Sequence, residues 1–309
     1  MTTKEKLDKQ IRHSIYLRGQ FTRISNELNV IIDELVAKIY RELEKTKNLA
    51  SPRGINAVIK RVDVLIEGVF KEYESQLTEQ MQELGEYESE YSAKSNEERG
   101  LGGSALAAGV VAALVSEQAI YGKLASEWVS EQADTMRKSF RQELRIGAGA
   151  GESKRQIQER LDTAVKERAK QQSGNAIRTI GEGVTTGVKL ETAKKSKAKY
   201  YQLSVVLDSR TSKICSAIDT SKVYSLSDPT APRPPFHPNC RTQIIELESD
   251  EPVEQQSYSS FLERQTEQEK RKLLGPGRYA LYKKGMKITQ FVDENNHVLT
   301  LAELRELEN

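Results

Sequence analysis

The run Leu203-Ser-Val-Val-Leu-Asp-Ser-Arg-Thr-Ser-Lys-Ile-Cys215 and its continuation Pro234-Pro-Phe-His-Pro-Asn-Cys-Arg-Thr-Gln-Ile-Ile-Glu-Leu247 decide how this chain is read. Leu203–Leu207 and Gln243–Leu247 are short runs rich in branched apolar residues, which predicts two strands. Between them, residues 208–242 hold both cysteines, one of the three histidines and five of the eight prolines. Asp208 closes the first strand, Ser209, Arg210 and Thr211 make a polar turn, and residues 214–218 read as a short helical segment. A further short strand at 222–225 leads into a proline-stiffened loop. The expectation is a small α+β unit pinned by its own loop.

Outward from this window the text is helical. Pro52 is the only proline before Pro229, and long stretches without proline permit long helices because proline lacks the N–H and clashes with the preceding turn. Phe21, Ile24, Leu28, Ile31 and Leu35 follow the three-four spacing of one helix face, in a helix of about ten turns at most. Ser51-Pro52 reads as a cap followed by a first helical residue. After it a second stripe runs Val58, Val62, Leu65, Val69, Tyr73, Leu77, Met81 and Leu84, and the two helices resemble an antiparallel pair. The fold class is α+β, a long helical N-terminal region followed by a small α+β C-terminal domain. Its expected parts are a helical hairpin arm at 1–95, a helical region with a small-residue segment and a glycine-rich break at 96–200, and the α+β domain with a C-terminal extension at 201–309.

Charged residues are 30% of the chain yet nearly cancel, at net +2, which excludes a global pull toward nucleic acid or anionic membrane. The charged start, Met1-Thr-Thr-Lys-Glu-Lys-Leu-Asp-Lys9, lacks the apolar stretch of an export signal, so synthesis in a cytoplasm is expected. Two cysteines do not make a disulfide framework, and a reducing compartment keeps them as thiols or metal ligands. Residues 101–115 are apolar and rich in small side chains, but a spanning helix needs about 20 such residues. They read as a buried helix packed on its neighbours, with a membrane-active segment as the alternative. Gly147, Gly149 and Gly151 invite comparison with a phosphate loop, but no Gly-Lys-Ser/Thr follows and no strand precedes them. They read instead as a break between helices, with Ser153 capping the next one and Ile157, Leu161 and Val165 forming its apolar stripe.

Lys189, Lys194, Lys195, Lys197 and Lys199, ending in Tyr200-Tyr201, are a candidate contact for a nucleic-acid backbone. Their irregular spacing equally suits a solvated helical face. Beyond Leu247 an acidic linker at 248–256 precedes a charged helix at 261–274, broken by Gly275-Pro-Gly277. A final small unit with Phe291 and Val292 follows, with a turn at Asn295-Asn296. His297 beside that turn and His13 on a helix read as exposed or hydrogen-bonding residues.

His237 and Cys240 are two residues apart, which lets both converge on one tetrahedral ion, and Cys215 adds a soft ligand from the other arm. Zinc suits these donors first. The place of a second thiolate, three residues after Cys215, is taken by Ile218, so Asp208, Asp219 or water is left to complete the shell. Three readings stand: a structural metal or metal-like clasp, buried thiols with a hydrogen-bonding histidine and no metal, and a catalytic centre with open coordination or a thiol nucleophile beside its base.

The same residues resemble the phage Mu F-like minor capsid, or head morphogenesis, proteins of tailed phages. The matching text is Asp208-Ser-Arg-Thr-Ser-Lys-Ile-Cys-Ser-Ala-Ile-Asp-Thr-Ser-Lys-Val-Tyr224 and then Pro235-Phe-His-Pro-Asn-Cys-Arg-Thr242. Ala176-Ile-Arg-Thr179, Leu274-Gly-Pro-Gly-Arg-Tyr-Ala-Leu-Tyr-Lys-Lys-Gly285 and Val298-Leu-Thr-Leu-Ala-Glu-Leu304 are similar to the family as well, so the resemblance covers about 145–304. Many members carry Cys-x-x-Cys where this chain has Cys215-Ser-Ala-Ile218. The resemblance implies a structural virion component, not an enzyme, made in the host cytoplasm. It implies several copies per particle, associated with the portal or major capsid protein and packaged inside the head. It also implies that Asp208, Arg210, Thr211 and Arg241 join the Cys/His set in clasping two arms of the domain. Two other readings are an ejection protein that contacts the host envelope only as DNA leaves, and a metal-dependent hydrolase or toxin-like enzyme.

Overall fold

Helix α1 (Thr3–Lys45) runs 43 residues, about twelve turns at 3.6 residues per turn and so longer than its apolar stripe alone suggested. Its buried face is Leu17, Phe21, Ile24, Leu28, Ile32, Leu35, Ile39 and Leu43, the repeat of three and four that keeps one stripe inward. The structure is a computed structural model and describes residues 3–49, 51–293 and 297–307; the turn expected at Asn295-Asn296 lies outside them. Ser51 caps helix α2 (Pro52–Glu98), accepting the Gly54 N–H at 3.1 Å. The α2 face buries Val58, Val62, Ile66, Val69, Tyr73, Leu77 and Met81. Ile66 takes the inward place expected of Leu65, because a stripe with a mean step of 3.6 residues goes four on from Val62 and then three to Val69.

The chain divides into two compact units, neither of them a single run: Met1–Arg12, Glu88–Leu106 and Thr185–Asn309 form one, His13–Tyr87 and Ala107–Val184 the other. The second unit is all-helical. Besides most of α1 and α2 it contains α3 (Ala108–Glu117), α4 (Ala125–Gly149), α5 (Lys154–Leu161) and a π-helical turn at Asp162–Glu167 that leads into α6 (Arg168–Lys194), whose residues up to Val184 it includes. Within it, Tyr16 lies 4.9 Å from Tyr87 and Arg61 reaches Glu42 at 2.6 Å. Contacts whose numbers rise on one helix as they fall on the other make α1 and α2 antiparallel. Gly181 of α6 lies so close to α1 that a Cβ there would meet the Phe21 ring at 2.3 Å, a close approach that only glycine allows. Tyr73 and Ser173 share a buried hydrogen bond of 2.6 Å, and Arg141 pairs with Asp63 at 2.5 Å. Ser153 starts α5 with a capping box, but Gly147 and Gly149 still lie in the last turns of α4, so the expected break between helices falls at residues 150–153, with Gly151 at φ of 70°.

Residues 101–107 are not helical, and α3 buries Val111 and Val115 while Ser104, Ala105, Ala107, Ala108, Gly109 and Val110 are exposed. The small-residue segment is therefore less buried than expected, since α3 is short and inserts only two side chains. Among the described residues no helix is long and apolar enough to cross a membrane. His13 is buried, its ring stacked 6.2 Å from Tyr87. His297 is exposed beside Asp293 at 3.2 Å.

The other unit holds a three-stranded antiparallel sheet, β1 (Tyr200–Ser204), β2 (Val223–Ser225) and β3 (Gln243–Leu247), in the order β2-β1-β3. With the long helices before it, this makes the chain α+β. β1 lies three residues earlier than its apolar run suggested: Tyr200 pairs with Leu247 and Ser204 with Gln243, so the ladder ends before Val205. Tyr201 and Leu203 join Leu101, Leu190, Ala193, Ala198, Leu226, Ala231 and Ile244 in one apolar cluster. Leu101, Leu190, Ala193 and Ala198 thus share one core with the sheet. Gln202, on the opposite side of β1, accepts from the Val253 N–H and donates to the Val253 and Thr220 carbonyls. The short α7 (Lys213–Ser216) follows the first arm of the window. The charged helix expected at 261–274 is two helices, α8 (Tyr258–Glu263) and α9 (Glu267–Leu274), with Thr266 capping the second. α10 (Pro276–Lys283), a 3-10 turn at Ile288–Phe291 and α11 (Leu301–Glu306) close a second cluster around Leu262, Leu281, Phe291 and Leu304.

Candidate metal centre

Each arm of the window is shaped locally before the two meet. On the first, the Thr211 Oγ1 accepts the Asp208 N–H at 2.8 Å and donates to the Val206 carbonyl at 2.8 Å, while the Asp208 carboxylate accepts the Arg210 N–H at 2.8 Å. Ser212 then caps α7 by accepting the Cys215 N–H at 3.1 Å, which fixes the direction in which Cys215 projects. On the second arm, Cys240 N–H donates to the His237 carbonyl at 3.1 Å. Asn239 at the third place of this turn has φ of 58°. Proline second and a positive-φ asparagine third is the pattern of a type II turn, and it sets His237 and Cys240 side by side. Phe236 and Ile218 pack against the sheet's apolar cluster, and Tyr201 donates to the Pro232 carbonyl at 2.8 Å, so both arms are anchored beside their reactive residues.

The arms meet at three side chains. Cys215 Sγ lies 3.7 Å from Cys240 Sγ and 3.1 Å from His237 Nε2, and the donor atoms of the three residues all lie within 4.8 Å of one another. Both cysteines are free thiols and buried. The second ring nitrogen of His237, Nδ1, is 2.8 Å from the Pro238 carbonyl. A carbonyl only accepts, so Nδ1 carries a proton and, in the neutral ring, Nε2 is the nitrogen left to bind a metal. This is the arrangement that orients metal-ligating histidines. A tetrahedral zinc with sulfur ligands at about 2.3 Å spaces those sulfurs by about 3.8 Å, close to the separation found here. The residues present fit a zinc ion.

The electrostatics favour one anionic sulfur. Cys215 is brought down to about 7, first by the hydrogen bond from Cys240, against the cost of burial, then by the hydroxyls of Ser212 and Thr242 and the charge of Arg241. Thr242 Oγ1 donates to Cys215 Sγ at 3.2 Å. Cys240, the donor in the pair and buried as well, is pushed up to about 12. His237 is raised: burial opposes its charge, but the hydrogen bond and charge of Cys240 and the Pro238 carbonyl outweigh it. A metal ion replaces these shared protons, and its binding releases them.

Of the carboxylates considered for the fourth position, Asp208 is bound by Arg241 through both oxygens, at 2.5 and 2.6 Å. That bidentate pair holds its carboxyl down at about 2, with burial opposing and the Arg210 N–H and charge adding to the shift. Asp219 accepts the Ser221 N–H at 3.0 Å and hydroxyl at 2.6 Å. Neither joins the Cys/His group. Arg210 contributes its backbone to the Asp208 turn, and its side chain is exposed with a guanidinium nitrogen 3.9 Å from Asp208. Two contributors were not anticipated, Ser212 and Thr242. The spacing Ser-x-x-Cys is an N-cap signal that could have revealed the first, and the position of Thr242 right after Cys240-Arg241 on the entry to β3 the second. Elsewhere, Lys189 is buried, Lys194 pairs with Glu191 at 2.6 Å, and Lys195, Lys197 and Lys199 are exposed.

The window of the sheet-bearing unit thus carries a Cys/His group that could hold a metal ion. Residues 134–245 match the family model described as phage Mu protein F like protein, which supports the resemblance that the window carries. The match includes Ala176-Ile-Arg-Thr179 and the whole window, and ends within β3; the similarities noted at 274–304 lie beyond it. The family is one of structural phage head proteins, which implies a virion component acting in head morphogenesis. No curated protein and no solved structure matches the chain.

Proposed function

We propose that this chain is a minor head protein associated with the portal and packaged inside the phage head in several copies, with a structural role in assembly. The observation that carries the reading is the family match over residues 134–245, which contains the complete window. In this reading the protein is made in the host cytoplasm and docks on portal or major capsid protein through residues 1–95. The unit that bears the sheet faces the head interior, where exposed Lys194, Lys195, Lys197 and Lys199 meet packaged DNA. Zinc at Cys215, His237 and Cys240 stiffens that unit by joining its two arms. When bound, the ion supplies a fixed point of attachment for three side chains that would otherwise share protons. Asp208, Thr211 and Arg241 hold the arms in register for it.

Deletion of the arm is a poor test, because α1 and α2 supply much of the helical core. Cross-linking mass spectrometry on intact heads is a cleaner one. Cross-links between lysines of residues 1–95 and the portal are expected, and a chain absent from purified heads, or linked only to tail proteins, sinks the reading. A second reading, that the chain leaves with the DNA and acts on the host envelope, draws on the exposed small apolar residues Ala105 and Ala107–Val110. It requires the chain to be missing from emptied particles and the full chain to release dye from liposomes.

A further inference from the structure

The fourth coordination position can be followed residue by residue, and every protein group that might fill it is engaged elsewhere. Asp208 spends both carboxylate oxygens on Arg241, whose side chain is only 13% exposed; turning Asp208 toward a metal would leave that guanidinium short of its counter-charge, a costly exchange. Asp219 is held by Ser221 through its own turn. Ile218, three residues after Cys215, packs against the apolar cluster of the sheet together with Phe236. Among the described residues no further histidine, cysteine, aspartate or glutamate offers an atom to the group. The two nearby hydroxyls act on the ligands: Thr242 donates to Cys215 Sγ, and Ser212 Oγ sits 2.8 Å from His237 Nε2 while accepting the Cys215 N–H. Neutral hydroxyls are not among the ordinary zinc ligands of proteins, which are thiolate, imidazole and carboxylate.

We propose that Cys215, His237 and Cys240 hold zinc by themselves and leave its fourth position to an exogenous soft donor, water in the isolated chain and a thiolate or imidazole when one is supplied. The inference rests on the zinc reading above and adds to it the class of ligand the centre accepts. Three protein ligands with one exchangeable position distinguish an open zinc site from a closed structural one. Here the open position follows from the isoleucine at 218, which serves the core instead of the metal. Once zinc occupies Nε2, the Ser212 hydroxyl loses that acceptor and its proton is available to a ligand on the metal. His237 is half-buried and Pro238 next to it is exposed, whereas the two sulfurs are buried, so a donor reaches the ion past the histidine and must be small or carried on a flexible side chain. A cysteine or histidine of a partner protein and a free small thiol present the same chemistry.

The experiment uses the full chain, stripped of metal by a chelator, kept reduced with a phosphine and reloaded with Co(II), whose visible spectrum reports coordination. One equivalent per chain is expected, with thiolate-to-metal absorption. Titration with 2-mercaptoethanol is then expected to shift the visible bands saturably with one-to-one stoichiometry, and imidazole to shift them differently. Asp219→Asn is expected to leave the starting spectrum unchanged. Bands that neither ligand moves, bands lost because the thiol strips the metal, or a spectrum altered by the Asp219 substitution overturn the open position without touching the zinc reading. No uptake of Co(II), and below about 0.2 zinc per chain as purified without chelator, would instead remove the zinc reading itself. The two sources give the same saturated spectrum and are separated by concentration: a cysteine-containing peptide that saturates the shift below the concentration needed of free 2-mercaptoethanol points to a partner side chain, and one that needs more points to a free small thiol.

Discussion

In the helical unit, Phe21, Ile24 and Leu28 of α1 are completely or almost completely buried among apolar neighbours, and hardly any single polar contact decides their places. In the window between β1 and β3, placement depends on named polar bonds: Asp208 to Arg241, Ser212 to the Cys215 N–H, His237 Nδ1 to the Pro238 carbonyl. The first region draws its stability from area removed from water, which is non-directional and spread over many residues. The second has two arms joined through a few directional groups, with Ile218, Tyr224, Leu226, Ala231 and Phe236 reaching the apolar cluster. Such regions respond differently to chemistry. A distributed core yields to loss of volume, whereas a directional clasp yields to loss of one proton, charge or ion.

The strongest way to break the comparison is to attack the core where it is tightest. Phe21→Ala empties a fully buried site beside Gly181, and large-to-small changes of this kind cost about 3–5 kcal/mol. The neighbouring glycine cannot fill the gap, although its lack of a Cβ is what admitted the ring. Urea unfolding followed by the single tryptophan, Trp128, which lies in the same unit, checks this. A loss below about 1 kcal/mol would mean that the close approach of α6 to α1 does not carry the packing.

Removing the zinc proposed for the window sharpens the contrast from the other side. A ligand that binds only the folded chain at 100 times its dissociation constant adds about 2.7 kcal/mol. Chelation is therefore expected to lower protection of amides in residues 208–242 by about 100-fold in hydrogen exchange. Amides of α1 near Phe21 and of α4 near Phe140 keep their rates. Equal loss of protection in both places would mean that the clasp and the helical core are one cooperative unit.

Legibility follows the same divide. The stripes of α1 and α2 could be read because a period of 3.6 recurs over many turns, so the error at Leu65 and Ile66 is one place within a pattern that repairs itself. β1 was misplaced because Val205-Val206-Leu207 is the most strand-like text in the window, yet the pairing of Ser204 with Gln243 ends the ladder before it. Register is set by a partner strand some forty residues away, which local composition does not encode. Cys215, His237 and Cys240 were brought together as their spacing proposed. What spacing could not supply was the outer support. Ser212 and Thr242 matter through where their hydroxyls point, and the long-range bond between Asp208 and Arg241 is what removes one candidate ligand from the metal.

The smallest expected effect is the most specific. Asp208→Asn keeps an oxygen for the Arg210 N–H but gives up the bidentate charge pair with Arg241. The Asp208 side chain is 34% exposed, so solvent screening limits the loss to about 1 kcal/mol at neutral pH. The sign of the pH dependence is fixed by the direction of the shift. With its folded carboxyl at about 2, below the ordinary value of about 3.9, Asp208 contributes stability that is fully present above about pH 4 and is lost as the pH falls toward 2. Measured in the metal-free chain, where thiolate protonation cannot expel an ion, protection of amides in 208–242 is expected to decline from pH 4 to 2.5 in the parent. In Asp208→Asn that decline is expected to be shallower, from a lower starting point. Identical slopes would show that other carboxylates govern the acid limb, and the clasp would then owe its strength to the cysteines and histidine instead of to the charge pair that frames them.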